Sequence, residues 1–140
     1  ITGIPATPHE SWMRLMRGMG MWAMLGYGYW VVEDRKDQTF LGEVGLADFL
    51  REMKPSVAGI PEAGWVLKPE AHGKGIATEA MRAVLAWADT HLDFPKTVCI
   101  MDQGFDASRN VALKLGFRDQ SLTTFRDKPI HLMERPASAC

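Results

Sequence analysis

Between Glu62 and Leu92 a strand, a glycine-bearing loop and an amphipathic helix follow one another, and this run constrains the fold more than any other part of the chain. Glu62-Ala63-Gly64-Trp65-Val66-Leu67 reads as a strand that ends against Pro69. At about 100° per residue, Ala77, Met81, Val84, Leu85, Ala88 and Leu92 share one apolar stripe, with Glu79, Arg82, Asp89 and Thr90 on the opposite side. The segment between strand and helix is His72-Gly73-Lys74-Gly75-Ile76-Ala77-Thr78. Glycines at 73 and 75 remove side chains, so backbone can come close to a ligand. Consecutive amides opening a helix point at one spot, where the helix dipole adds positive potential. That is the chemistry of a pyrophosphate cradle, to which Lys74 adds either a cation or only a solvated loop side chain. The same two glycines also suit a plain tight turn. Their spacing is neither that of a P-loop nor that of a dinucleotide-binding GxGxxG.

The rest of the chain builds a sheet around this unit. Thr7-Pro8-His9-Glu10 reads as a capping box that opens a helix, with proline at the first helical position. Five of the nine methionines lie between residues 13 and 24, a density that suits flexible core filler better than an adaptable groove. Tyr29 to Glu33 and Phe40 to Leu46 form an antiparallel hairpin around the polar turn 35–38, and a loop from about Arg51 to Pro61 leads to the strand 62–67. Lys96 to Met101 is apolar on both faces, as a central strand is. Ala107 to Leu115 is a short helix stopped by Gly116, and strands at Phe117 to Phe125 and Ile130 to Glu134 flank Lys128-Pro129. The order α-β-β-β-α-β-α-β-β predicts a mixed, mostly antiparallel central sheet with helices on both faces.

Composition excludes more than it selects. One hundred and forty residues make one domain, residues 1–140. Seventeen acidic against sixteen basic residues give no global field to hold nucleic acid or an anionic membrane. The longest charge-free run, Gly18 to Val32, has fifteen residues and four glycines, short of the roughly 20 that a spanning helix needs. Two cysteines make no disulfide framework, and Cys140 at the chain end is expected to be poorly ordered. A cytoplasmic setting with reduced thiols is expected, and no metal-ligand pattern stands out.

The stretch GWVLKPEAHGKGIATEAMRAVLAWA, followed one strand later by DASRNVALKLGFRD, resembles the GNAT N-acetyltransferases, above all the branch that acetylates ribosomal-protein N-terminal alanine or serine. The family signature, Gln or Arg, two residues, Gly, one residue, Gly or Ala, is matched by His72-Gly73-Lys74-Gly75-Ile76-Ala77, and Lys114-Leu115-Gly116-Phe117 resembles the family's penultimate helix-to-strand junction. The resemblance runs from about Trp30 to Arg135. Family members begin with a strand before the first helix, and nothing ahead of Thr7 supplies one, so an N-terminal strand is expected to be missing. Three positions depart from the pattern: His72 replaces Gln or Arg, Phe105 stands where Asn is frequent, and Ala112 where many members carry a proton-donating tyrosine.

The resemblance implies an acetyl-CoA-dependent N-acetyltransferase that acts on a primary amine, a peptide N-terminus or a small molecule, without a metal. It implies that acetyl-CoA lies along the strand 62–67, with the backbone at Val66 and Leu67 against the pantetheine arm. Residues His72, Gly73, Lys74, Gly75, Ile76, Ala77 and Thr78 would hold the pyrophosphate. Direct attack on the thioester needs a neutral amine, so a base helps, and amide donors facing the tetrahedral oxyanion are worth roughly 3–4 kcal/mol at comparable sites. Glu62 is the first choice as base, against a solvated strand-end carboxylate. Ser108 is a hydrogen-bond donor toward the cofactor, against a helix N-cap. Glu43, Asp48 and His131 are fainter candidates, and Cys99 is a small buried hydrophobe rather than a nucleophile. Trp12, Trp22 and Trp30 belong either to an acceptor wall or to the core. A second reading keeps the fold as a non-catalytic acyl-CoA-binding or regulatory module, and a third takes the glycine loop as a mere turn in an interaction domain. Monomer and homodimer both remain open, as does the identity of the acceptor.

Overall fold

The computed structural model describes residues 4–138. The capping box forms as the sequence dictates: the Thr7 hydroxyl accepts from the Glu10 amide, and the Glu10 carboxylate accepts from the Thr7 amide. These bonds open α1 (Pro8–Leu25), which stops at Gly26 in the left-handed region. Next come β1 (Tyr29–Glu33), β2 (Phe40–Ala47) and β3 (Glu62–Leu67), then α2 (Ile76–His91), β4 (Lys96–Asp102) and α3 (Asp106–Lys114). The chain closes with β5 (Arg118–Phe125) and β6 (Lys128–Pro136). This is the order read from the sequence, with one addition, a single 3-10 turn at Pro69–Ala71. One turn is corrected. Lys128-Pro129 belongs to β6, and the hairpin turns at Arg126-Asp127, both at positive φ, as a two-residue loop between twisted strands requires.

The six strands run in the order β1-β2-β3-β4-β6-β5. Every neighbouring pair is antiparallel except β3 and β4, which are parallel and meet at one register pair, Glu62 with Val98. The sheet is therefore two three-stranded halves joined at a point. Beyond Glu62 the edge of β3 that faces β4 carries no strand partner, and the halves part there.

α2 and α3 cover one face. Met81, Val84, Leu85 and Ala88 of α2 share a core with Val44, Leu46 and Ala63 on one half of the sheet, and with Cys99, Met101 and Met133 on the other. The buried α2 residues are those of the predicted stripe plus Thr78, while Ala77 and Leu92 are only half-buried. On the opposite face, Met53 and Val57 from the connection between β2 and β3 pack on Val98, Ile130 and Leu132, and so cover the β4–β6 half. Asp48 pins that connection, its two carboxylate oxygens accepting from the amides of Leu50 and Gly59 at 2.9 Å each. The part of this face formed by β1–β3 is open only along the row Val31, Glu43, Val66, where Val31 is 61% exposed and Val66 44%, whereas Gly45 and Ala47 are buried.

The methionine-rich helix departs from expectation. Of its five methionines only Met21 is buried, whereas Met13, Met16, Met19 and Met24 are exposed, so they are not core filler among the described residues. Trp22 reaches Trp30 and Trp87 edge-on, with ring centroids 4.6 and 5.8 Å away, and its indole N–H donates to the Tyr29 carbonyl. Trp22 and Trp30 thus belong to the packing of α1 against β1 and α2, and Trp12 is exposed. No helix of the described residues is long and apolar enough to cross a membrane. Cys140 lies outside the described residues.

Candidate functional site

The mouth of the split is built by the end of β3 and the start of α2. Gly73 and Gly75 take φ of 71° and 76°, a backbone that side-chain-bearing residues rarely adopt, and no heavy atom lies within 4 Å of where a Cβ would stand on either. Gly75 is the N-cap of α2 and offers no side chain to its amides. The first amide to bond back is that of Glu79, to the Gly75 carbonyl, so the amides of Ile76, Ala77 and Thr78 precede the helix ladder. An uncapped helix N-terminus behind an open glycine loop presents donors and positive potential to an anion.

The predicted residues of this segment fall into three groups. Gly73, Lys74 and Gly75 are exposed, Ile76 and Ala77 are half-buried, and Thr78 turns its side chain into the core, so only its backbone is available to a ligand. The His72 imidazole Nε2 lies 2.9 Å from the Leu67 carbonyl, a bond in which the ring N–H donates. It ties the loop to the last residue of β3. The Lys68 amide donates to the Leu41 carbonyl, which fixes the same strand end to β2.

Glu62 is not a solvated strand-end carboxylate. It is buried, 6% exposed, and both carboxylate oxygens accept from Arg51, at 2.8 Å from Nε and 2.9 Å from an Nη. The Arg51 guanidinium lies between two rings, 4.7 Å from the Phe49 centroid and 5.0 Å from that of Phe125. Because Glu62 is also the residue at which β3 meets β4, this group links the loop after β2, the centre of the sheet and the far strand β5. The solvated strand-end reading is thereby corrected: the carboxylate is desolvated and paired. A proton delivered to it by an amine must compete with the guanidinium for the same oxygens. Sequence reasoning missed Arg51, which sits in an irregular loop with no periodicity to mark it.

Other candidates are placed apart from this junction. Ser108 stands half-buried in the first turn of α3, where the N-cap is Phe105, so the capping role does not apply to it. Phe105 is exposed and Ala112 fully buried. Glu43 is exposed on the open face, opposite Val66. Asp48 organises its loop as described, and His131 approaches Asp119, itself paired with Arg109, on the β5–β6 hairpin. Cys99 is buried, and burial pushes its thiol well above the ordinary cysteine range, so it stays protonated and inert. No cluster of three metal-ligating side chains occurs among the described residues.

The model of the acetyltransferase (GNAT) domain family matches residues 1–118. An uncharacterized Bacillus subtilis (strain 168) protein, YkkB, is 32% identical over 112 residues, which is 79% of this chain and 63% of that protein. The chain thus spans less than two thirds of this curated relative. A putative GnaT-family acetyltransferase from Bordetella pertussis superposes with a TM-score of 0.89 at 30% identity, covering 96% of this chain and 81% of that one. A phosphinothricin acetyltransferase from Sinorhizobium meliloti, solved with AcCoA, shares the fold at a TM-score of 0.73 and 24% identity, over 95% of this chain and 71% of that one.

Proposed function

This chain belongs to the GNAT acetyltransferase family, and from that premise we propose that residues 1–140 form one acetyltransferase domain that moves the acetyl group of acetyl-CoA to a primary amine. The observation that carries the proposal is the open glycine loop on the uncapped α2 N-terminus, set at the mouth of a sheet whose halves part beyond Glu62. When bound, acetyl-CoA supplies an activated thioester. The amides of Ile76, Ala77 and Thr78 face its pyrophosphate, with the Gly73 and Gly75 backbone and exposed Lys74 beside them. On the edge of β3 that borders the split, Leu67 offers its backbone amide, its carbonyl being bonded to His72, while the Val66 carbonyl lies toward Gly42 of β2. His72 holds the loop against Leu67, so the cradle and the strand keep one geometry before the ligand arrives, which lowers the ordering cost of binding. Ser108, from the first turn of α3, donates a hydrogen bond toward the same cleft. Glu62 takes up the amine proton through its remaining lone pairs or through water, in competition with Arg51.

The acceptor is a peptide N-terminus or a small amine. A second reading, a CoA-binding module without turnover, draws on two observations: Arg51 occupies the Glu62 carboxylate, and Ala112 is buried without any polar group. Calorimetry with CoA together with thiol release from acetyl-CoA tests both. Gly75→Glu is expected to weaken CoA binding at least tenfold, because it adds bulk and negative charge at the cradle. Unchanged affinity refutes the site. Wild-type binding without thiol release in the presence of amines selects the second reading.

A further inference from the structure

Tyr29, Gly45 and Gly64 stand in one cross-strand row on β1, β2 and β3. Strand alternation puts this row on the face away from α2, because Val44, Leu46 and Ala63, the neighbours of the two glycines, face α2. The Tyr29 side chain reaches across the row past Gly45. A Cβ on Gly64 would lie 2.1 Å from its hydroxyl oxygen and 3.2 Å from Cζ. Gly64 is therefore the residue whose missing side chain makes room for that hydroxyl. The hydroxyl sits over the middle of the strand that borders the split, between Glu62 on one side and the row Val31, Glu43, Val66 on the other. No described protein group hydrogen-bonds it. Glu62, the polar side chain that β3 turns to this face, is occupied by Arg51.

We infer that the Tyr29 hydroxyl is a catalytic residue that contacts the acceptor amine, which enters over the exposed row Val31, Glu43, Val66 on the face of β1–β3 opposite α2. The inference rests on the acetyl-transfer reading. With α2 and its loop on one side of the split, an amine that attacks a thioester lying along β3 reaches it from the other side, where the Tyr29 hydroxyl lies over mid-strand without a hydrogen-bond partner among the described residues and Glu43 stands exposed in the next row. Its oxygen accepts one N–H of the amine and so orients the nitrogen lone pair toward the thioester carbon. Burial and the nearby Glu62 and Glu43 carboxylates push the phenol up to about 12, so it remains a neutral hydroxyl through the physiological range.

The test compares wild type and Tyr29→Phe in thiol release from acetyl-CoA, with spermidine and a peptide bearing a free N-terminal alanine as acceptors. CoA affinity is measured in parallel by calorimetry. For the amine that turns over, Tyr29→Phe is expected to lose about 10- to 100-fold in kcat/KM, the range for one hydrogen bond to a charged or reacting group, with CoA affinity unchanged. Gly64→Ala displaces the hydroxyl and should lose activity too, and the double variant should lose no more than the larger single loss. Equal kcat/KM for wild type and Tyr29→Phe overturns the inference while leaving the acetyl-transfer reading in place. Failure of the wild type to release thiol with either amine overturns that reading and this inference with it.

Discussion

Replacing Arg51 by methionine isolates the pairing at the centre of the sheet. Glu62 has a side chain 8% exposed, and its charge is neutralised by a guanidinium that is itself 23% exposed. Breaking a buried pair by removing one partner costs about 3–5 kcal/mol, since an uncompensated charge is left behind. Partial exposure of Arg51 lets water reach the vacated carboxylate, which favours the low end of that range, about 3 kcal/mol. Loss of two cation–π contacts, with Phe49 and Phe125, adds about 1 kcal/mol, while the methionine stem preserves much of the apolar contact. Arg51→Met should therefore lower the stability read from urea unfolding by about 3–4 kcal/mol, a large part of the 5–15 kcal/mol typical of a domain. Adding Glu62→Leu to it should restore part of the loss, because both charges are then gone. The coupling between the two positions is expected to exceed about 1 kcal/mol. A loss below about 0.5 kcal/mol for Arg51→Met, or simple additivity in the double variant, refutes this account of the junction.

Glycine positions should separate into opposite classes. Gly45→Ala puts a Cβ 2.2 Å from the Gly28 carbonyl oxygen and 2.5 Å from the Tyr29 Cα, both backbone atoms that move only if β1 shifts against β2, so a loss of about 3 kcal/mol or more is expected in urea unfolding. Gly18→Ala and Gly20→Ala lie inside α1 with open space around them and should each stabilise by about 0.5–1 kcal/mol. Asp89 accepts from Arg135 at 3.0 and 2.6 Å, and those hydrogen bonds hold its carboxyl below the usual range despite its burial. A carboxyl depressed in the folded state contributes stability above its unfolded value, near 3.9, and that contribution disappears as pH falls through the folded value. Asp89→Asn should flatten the acid limb of the urea midpoint below about pH 4 while lowering the plateau at neutral pH, and an unchanged slope would exclude the pair as its source.

The parts that were legible in the sequence are those whose physics is local. A capping box, an apolar stripe at helical spacing and glycines at a helix start each act within a few residues, and all three appear where the residues put them. The surroundings of Glu62 were not legible. Arg51 reaches it from eleven residues back through a loop without periodicity, and Phe125 closes over the guanidinium from the opposite half of the sheet. Nothing in the spacing of residues 49, 51, 62 and 125 marks them as neighbours. Tyr29 escaped notice for a related reason. Its place in a hairpin strand is local, but the meaning of Gly64 as the vacancy for its hydroxyl depends on the register of three strands. The methionines of α1 went the other way: helical spacing identifies an apolar helix but does not say which side is covered.

The misses at Glu62 and Tyr29 share one location. A parallel junction cannot be closed by a hairpin, so β3 and β4 are connected through α2 and need only touch where their ends align. At Glu62 they do, and past it the backbone of β3 is left for something other than a strand. The same divergence that opens the cleft removes the ladder that would otherwise hold the halves together there, and the Arg51 group, bonded to β3 and stacked on β5, supplies a side-chain link in its place. In the proposed reaction Glu62 thus stands at the position where holding the sheet and taking up the amine proton draw on the same two oxygens. This is why stability and turnover should be measured together in any variant of that pair: a Glu62→Gln enzyme that keeps its urea midpoint but loses thiol release assigns the carboxylate to the chemistry, and one that loses both in proportion assigns it to the junction.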